Sequence, residues 1–235
     1  MRVFFLKRGI LTFDTFRAIF FFMYLPSFVT PETVGGVGLV ALGLWGGWQQ
    51  FKQAQIIYKK GHCNAISTEG MLIQLFMGYV TVVYGSFIGS IPMLVHGASR
   101  ILGLYVILRG IKKYRGFSRM HSALRIGMHS MILSLLLLPY KGQLYLAFSI
   151  FALWGSISQV IELWNAKQTG ALDIRLQCVY FISASFWLIY GLGIHDTFII
   201  AMSMCFIVLL VMIIGLWFFY FFRERKVATV SSTSP

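Results

Sequence analysis

"LWGGWQQFKQAQ", Leu44 to Gln55, has a near echo in "LWGSISQVIELW", Leu153 to Trp164. Both open on Leu-Trp-Gly and both carry a Gln six residues after that Leu, Gln50 and Gln159, at an offset of 109 residues (153 − 44). Further along, the offset is 106. "VVYG" at 82–85 answers "LIYG" at 188–191, and Ile66-Ser67 answers Leu172-Asp173. The chain is therefore read as one unit written twice, with three extra residues in the first copy between its opening segment and Ile66.

Composition decides what solvent these copies fold in. Of 235 residues 58% are hydrophobic and only 11% charged, and the mean hydropathy is +0.77. Soluble domains carry about 25% charged residues, so this pool does not cover a water-exposed surface and the bilayer must take its place. A formal net charge of +13 would suggest nucleic acid in a soluble protein. In a membrane protein it reads as topology, because Lys and Arg collect in cytoplasmic loops.

A span needs ~20 mostly apolar residues. Seven segments meet this, at roughly 34–54, 70–88, 90–110, 124–140, 143–163, 174–194 and 197–222. The shorter "AIFFFMYLPSFVT" at 18–30, with Pro26, is read as an interfacial or re-entrant element. The expected class is all-α integral membrane: seven transmembrane helices as two parallel three-helix-bundle repeats joined by a linker helix. The expected divisions are an N-terminal segment over 1–33, a first repeat over 34–112, and a basic loop with linker helix over 113–141. A second repeat over 142–222 and a cytoplasmic tail over 223–235 complete them. Lys59 and Lys60, Lys112 to Arg119, Lys167 with Arg175, and Arg223 to Lys226 all fall on one side of the spans. That side, with the C-terminus, is expected to be cytoplasmic; the N-terminus falls outside, against its own Lys and Arg.

A Gln late in the first span of each half, then a basic loop, a Leu/Ile-Ser/Asp step and "FWLIYGLGIHDTFIIAMS" (Phe186 to Ser203) together resemble the PQ-loop superfamily, and within it SWEET/MtN3-like proteins. The resemblance covers about 34–225 and implies a carrier with its site between the two halves. It also implies gating or hydrogen-bonding roles for Gln50 and Gln159. The Pro that precedes this Gln in the family is absent, with Gln49 and Ser158 in its place. Gly46, Gly47 and Gly155 are the candidates for the hinge that Pro would supply, against ordinary close packing.

The resemblance further implies a stacking Trp at Trp187 and an amide position at Ser203, with a second amide position somewhere in His96–Ala98. This chain has only two Asn, Asn64 and Asn165, neither of them there, so the amide pair of a sugar site is missing. Span three instead carries Arg100 about 12 residues in, near mid-membrane, with His96 one turn earlier on the same face. A charge at that depth normally faces a cavity or a partner. Three partners are open: a solute carboxylate, Glu162, or backbone carbonyls. His96 is a candidate ligand or proton carrier, or a packing residue. Asp173 is a second candidate proton site, and both it and Glu69 also suit helix capping. The expected cavity is lined by Gln50, His96, Arg100, Gln159, Trp187 and Ser203.

No phosphate loop, metal-ligand spacing or nucleophile set stands out, and three scattered Cys make no disulfide framework. The expectation is not an enzyme and no cofactor or metal. Partners are the lipid bilayer, a small polar solute (a sugar, amino acid or organic acid) and, left open, further copies of the chain; nucleic acid is not expected. A receptor of the KDEL-receptor type, binding a carboxylate-bearing ligand without moving it, is the alternative, and a non-transporting scaffold the third class.

Overall fold

Most helix starts in this chain are marked by a single side-chain oxygen. In the computed structural model, which describes residues 30–231, the hydroxyl or carboxylate of Thr30, Ser67, Ser90, Ser118 and Asp173 each accepts a hydrogen bond from an amide of the turn it begins. Pro31 and Pro92 occupy first-turn positions, where a missing N–H costs nothing. Gly61 and Gly89 end two helices in the left-handed region, at φ +70° and +69°. The helices so bounded are α1 (Pro31–Lys60), α2 (Thr68–Ile88), α3 (Ile91–Tyr114), α4 (Arg119–Leu137), α5 (Lys141–Ala166), α6 (Ile174–Gly193) and α7 (Thr197–Ser231). Among the described residues there is no strand.

The helices assemble as two equivalent triples. In the first, α3 packs between α1 and α2; in the second, α7 packs between α5 and α6. The triples meet through α1 against α6 and through α2 against α5, the same contact made twice. The loops 61–67 and 167–173 share one end, where the Ala171 amide donates to the Asn64 carbonyl at 2.9 Å. The two triples therefore run in the same direction, related by a pseudo-two-fold axis along the helices. The linker α4 leans on α2 and touches α5 little.

Six of the seven helices are long and apolar enough to cross a membrane. The one that falls short is α1, rich in Gly and Gln and carrying Lys52, although the sequence places a span there. Its composition follows from its neighbours: α1 faces α3 and α6 along its length, so less of it needs to be lipid-like. The element expected at 18–30 lies outside the described residues, Thr30 excepted. At the other end α7 continues as helix to Ser231, so the expected tail over 223–235 begins as helix.

The spacing of the repeat differs from the sequence reading. Helix starts Thr68 and Ile174, Ile91 and Thr197, and helix ends Lys60 and Ala166 all stand 106 apart. There is no three-residue insertion. The Leu-Trp-Gly echo at 109 is a slip of three residues, which on a helix rotates a side chain by only about 60° and so preserves its general face. The true counterpart of Trp154 is Trp48, and the two are 51% and 57% exposed on the outer surface. The counterpart of Gln159 is Gln53 (159 − 53 = 106), not Gln50.

Close packing within the first triple depends on α1 lacking side chains where α3 crosses it. A Cβ on Gly47 would lie 2.8 Å from the Ser99 carbonyl oxygen, which is backbone and does not move aside. Gly47→Val should therefore lower the detergent melting temperature, by the equivalent of ~1–3 kcal/mol for an overpacked interface. Gly127→Ala on α4, where a Cβ meets nothing within 4 Å, should leave it unchanged or raise it. Differential scanning fluorimetry of the two variants checks this pair of outcomes.

Candidate functional site

Between the two triples lies a cavity of about 440 Å³, within the range of small-molecule sites. Its lining runs from Tyr84, Gln143 and Asp196, beside the loops before α5 and α7, down to Ile73 and Gln74 near the start of α2. From Tyr84 to Ile73 is eleven helical residues, ~16 Å of depth at 1.5 Å each. The walls are mostly apolar, with Ser and Tyr hydroxyls between.

Four residues expected from the sequence meet here: His96, Arg100, Trp187 and Ser203. His96 is 4% exposed. Its Nδ1 lies 3.3 Å from the Leu39 carbonyl of α1. A carbonyl only accepts, so Nδ1 carries a proton in this contact. Nε2 is buried with no hydrogen-bond partner. The ring stands edge-on to Trp187 at 5.6 Å, and Trp187 in turn to Tyr190 at 6.0 Å. The 106-residue spacing places Gly97 opposite Ser203, inside the stretch His96–Ala98 that the resemblance left open.

Arg100 is held by a pair of groups that are themselves repeat counterparts, Gln74 and Tyr180. Its Nη2 donates to Gln74 Oε1 at 3.3 Å, and its guanidinium lies over the Tyr180 ring at 4.7 Å. Behind that ring, Gln50 Nε2 donates to the Tyr180 hydroxyl at 2.8 Å. A string of side chains thus crosses four helices, α1, α6, α3 and α2, and fixes the cation at the cavity floor. An Arg at mid-depth costs ~2.5–3.5 kcal/mol on the insertion scale, and a cation–π contact returns ~0.5–2 kcal/mol of it. The pairing with Glu162 left open by the sequence does not occur. Glu162 is bound by Arg115 at 2.8 Å, at the basic end of the molecule.

Gln50 and Gln159 do not line the cavity, contrary to the expectation. Gln50 lies behind Tyr180, and Gln159 lies at the basic end. There Gln159 Nε2 donates to the Ala65 carbonyl at 2.8 Å and its Oε1 accepts from the Ser67 amide at 3.0 Å. Its counterpart Gln53 repeats the arrangement on the other half. Gln53 Nε2 donates to the Ala171 carbonyl at 2.6 Å, and Oε1 accepts from the Asp173 amide at 2.7 Å. Each side-chain amide pairs with two backbone groups as a strand neighbour would, and each clamps the loop of the opposite triple. The 109-residue echo points away from Gln53; the 106 offset of Ser67 and Asp173, applied to Gln159, leads to it. Gln74 carried a signal too, as an amide inside an apolar span.

Around these clamps the basic end is closed. Arg115 donates to the Ile66 and Cys63 carbonyls at 2.9 and 3.0 Å as well as to Glu162. Lys60 donates to the Gly170 carbonyl, and Ser67 and Ser158 hydroxyls meet at 2.9 Å. Asp173 caps α6 by accepting from the Arg175 amide at 3.0 Å and does not line the cavity. The three glycines considered for a hinge lie in helices that run unbroken through them. Gly47 and Gly155 sit at tight crossings, the latter 3.0 Å from Ile73 for an added Cβ, while Gly46 has ordinary room.

Comparison with known proteins adds sequence kinship for the second half. Residues 140–227, which hold α5, α6 and most of α7, match the family model described as a sugar efflux transporter for intercellular exchange. A eukaryotic SWEET transporter of known structure aligns at 15% identity and a TM-score of 0.48, over 79% of this chain and 98% of that one. No curated protein sequence matches.

The clamps have a native reporter. Cys63 is 3% exposed in the loop that Gln159 and Arg115 hold, and burial pushes its thiol above the ordinary range against the pull of Arg115. With Cys178 and Cys205 replaced by Ala, maleimide should label Cys63 slowly at pH 7. Gln159→Ala should speed labelling at least tenfold. Unchanged kinetics on intact-mass spectrometry would mean that the clamp does not hold the loop shut.

Proposed function

We propose that this chain is a multi-pass membrane carrier that moves a small polar solute by exposing one central cavity to either side in turn. The observation that carries the reading is the asymmetry of the two ends. The cavity reaches the loops before α5 and α7, while the opposite end is held by side chains that each cross from one triple to the other. A binding site open at one end and closed at the other by reversible contacts is what alternating access requires of either end state.

The closing contacts are of a kind that can be exchanged. The four glutamine hydrogen bonds, at ~0.5–1.5 kcal/mol net each, come to roughly 2–6 kcal/mol, and Arg115–Glu162, Lys60–Gly170, Ser67–Ser158 and Ala171–Asn64 cross the same end beside them. Backbone groups freed near a membrane surface find water in their place, which offsets part of the cost of opening. Rocking of one triple against the other on a microsecond-to-millisecond scale is then feasible. In this reading α1–α3 and α5–α7 move as bodies, with α4 as the connection. The pseudo-symmetry supports it, since parallel repeats with a site at their interface are a recurring carrier design. The family match over 140–227 supports a sugar or a similarly sized solute. The basic end and the C-terminus face the cytoplasm, as the Lys and Arg of loops 59–62, 112–119 and 167–175 favour.

Purified protein in proteoliposomes should accumulate solute from a panel of sugars, amino acids and organic acids. Trp187→Ala, which removes the flat wall beside His96, should raise the half-saturating concentration several-fold while leaving the melting temperature within a few degrees. A ligand that binds and stabilises the protein but never enters the vesicles would instead favour the receptor alternative.

A further inference from the structure

We propose that the solute carries a carboxylate, and that Arg100 is the group that selects it; this rests on the carrier reading above. Arg100 lies ten residues along α3 from Ser90, ~15 Å below the mouth of the cavity. A full positive charge at that depth normally has a neutralising partner. Glu162, the nearest sequence candidate, is taken by Arg115 at 2.8 Å. Among the described residues the acid in the cavity lining is Asp196. It caps α7, accepting from the Ile199 amide at 3.1 Å, at the level of Ser90 and so about three turns from Arg100.

What does touch Arg100 positions it without neutralising it. Gln74 is a neutral acceptor at the long end of hydrogen-bond range, and Tyr180 offers a ring face. Nε is buried with no hydrogen-bond partner. A guanidinium keeps its charge at any physiological pH, so deprotonation does not relieve the site. A neutral hydroxyl from a sugar would supply hydrogen bonds but no counter-charge, whereas a carboxylate supplies both, with the two-oxygen geometry that guanidinium groups favour.

The repeat sharpens the point. The counterpart of Arg100 is Phe206, and both line the cavity. Related backbone positions thus present a cation on one wall and a benzene ring on the other. The solute that fits has one anionic end and an apolar or aromatic body.

The test uses acid–amide pairs on the intact protein: benzoate against benzamide and lactate against lactamide, with glucose and sucrose as neutral sugars. Binding is read by thermal shift in detergent and uptake in proteoliposomes. We expect at least one acid to bind tenfold or more tighter than its amide. Arg100→Gln should abolish that preference while the melting temperature stays within a few degrees, and Arg100→Lys should keep part of it. Equal binding of acid and amide, no binding of either acid at millimolar concentration, or a preference that survives in Arg100→Gln would each overturn the proposal. If Arg100→Gln does not fold, the acid–amide comparison on the unmodified protein decides alone. Uptake of a neutral sugar without acid preference would keep the carrier reading and reject this one. Acid binding without uptake would do the reverse.

Discussion

Two glutamine side chains, Gln53 and Gln159, join the halves of this protein at its basic end. Each reaches out of its own triple and pairs with a carbonyl and an amide in the loop of the other. Those loops carry backbone groups that belong to no helix, at a depth where they are buried: Ala65 and Ala171 are both fully enclosed. Unpaired, such groups would cost roughly 1–3 kcal/mol each. The side-chain amide, with one donor face and one acceptor face, satisfies both at once. The start of α2 and the start of α6 are thereby fixed to helices from opposite triples, and the cavity has its closed end.

From that closure the rest of the site follows. With the basic end drawn together, α2 and α6 bring Gln74 and Tyr180 to the cavity floor from opposite sides. Arg100 of α3 lies between them, bonded to one and stacked on the other. Above it, between α2 and α5, the stacked rings of Tyr84 and Tyr145, 4.3 Å apart, stand at the wall. Each clamp is a hydrogen bond that water can replace, which is what the proposed carrier needs for its halves to part.

The pseudo-symmetry is carried by the backbone and broken in the chemistry. The helix boundaries at 60/166, 68/174 and 91/197, the caps Ser67 and Asp173, and the clamps Gln53 and Gln159 recur at 106 residues. Arg100 and Phe206, Gln74 and Tyr180, and Gly97 and Ser203 do not match in kind. Duplicated scaffolds keep what holds them together and vary what they hold, and here the variation concentrates on the cavity walls. Arg115 adds a second asymmetry, an ion pair with Glu162 and two backbone carbonyls on one side of the closed end only.

The sequence by itself determined the solvent, the number of segments and the doubling. Those properties are carried by composition, by apolar run length and by offsets along the chain, each local and additive. It also named His96, Arg100, Trp187 and Ser203, because a polar or flat aromatic residue inside an apolar span is conspicuous wherever it packs. It did not determine the register of the first helix. A three-residue slip keeps a helical face nearly unchanged, so the Leu-Trp-Gly echo and the true spacing look alike, and the echo points to Gln50 in place of Gln53. Nor did it determine partners. Whether Arg100 meets Glu162, Gln74 or Tyr180 depends on distances between helices 26 to 80 residues apart in the chain. Only the packing of the two triples decided that, because close approach between helices is set by which faces lack side chains, as at Gly47 against Ser99, and is not a property of any one segment.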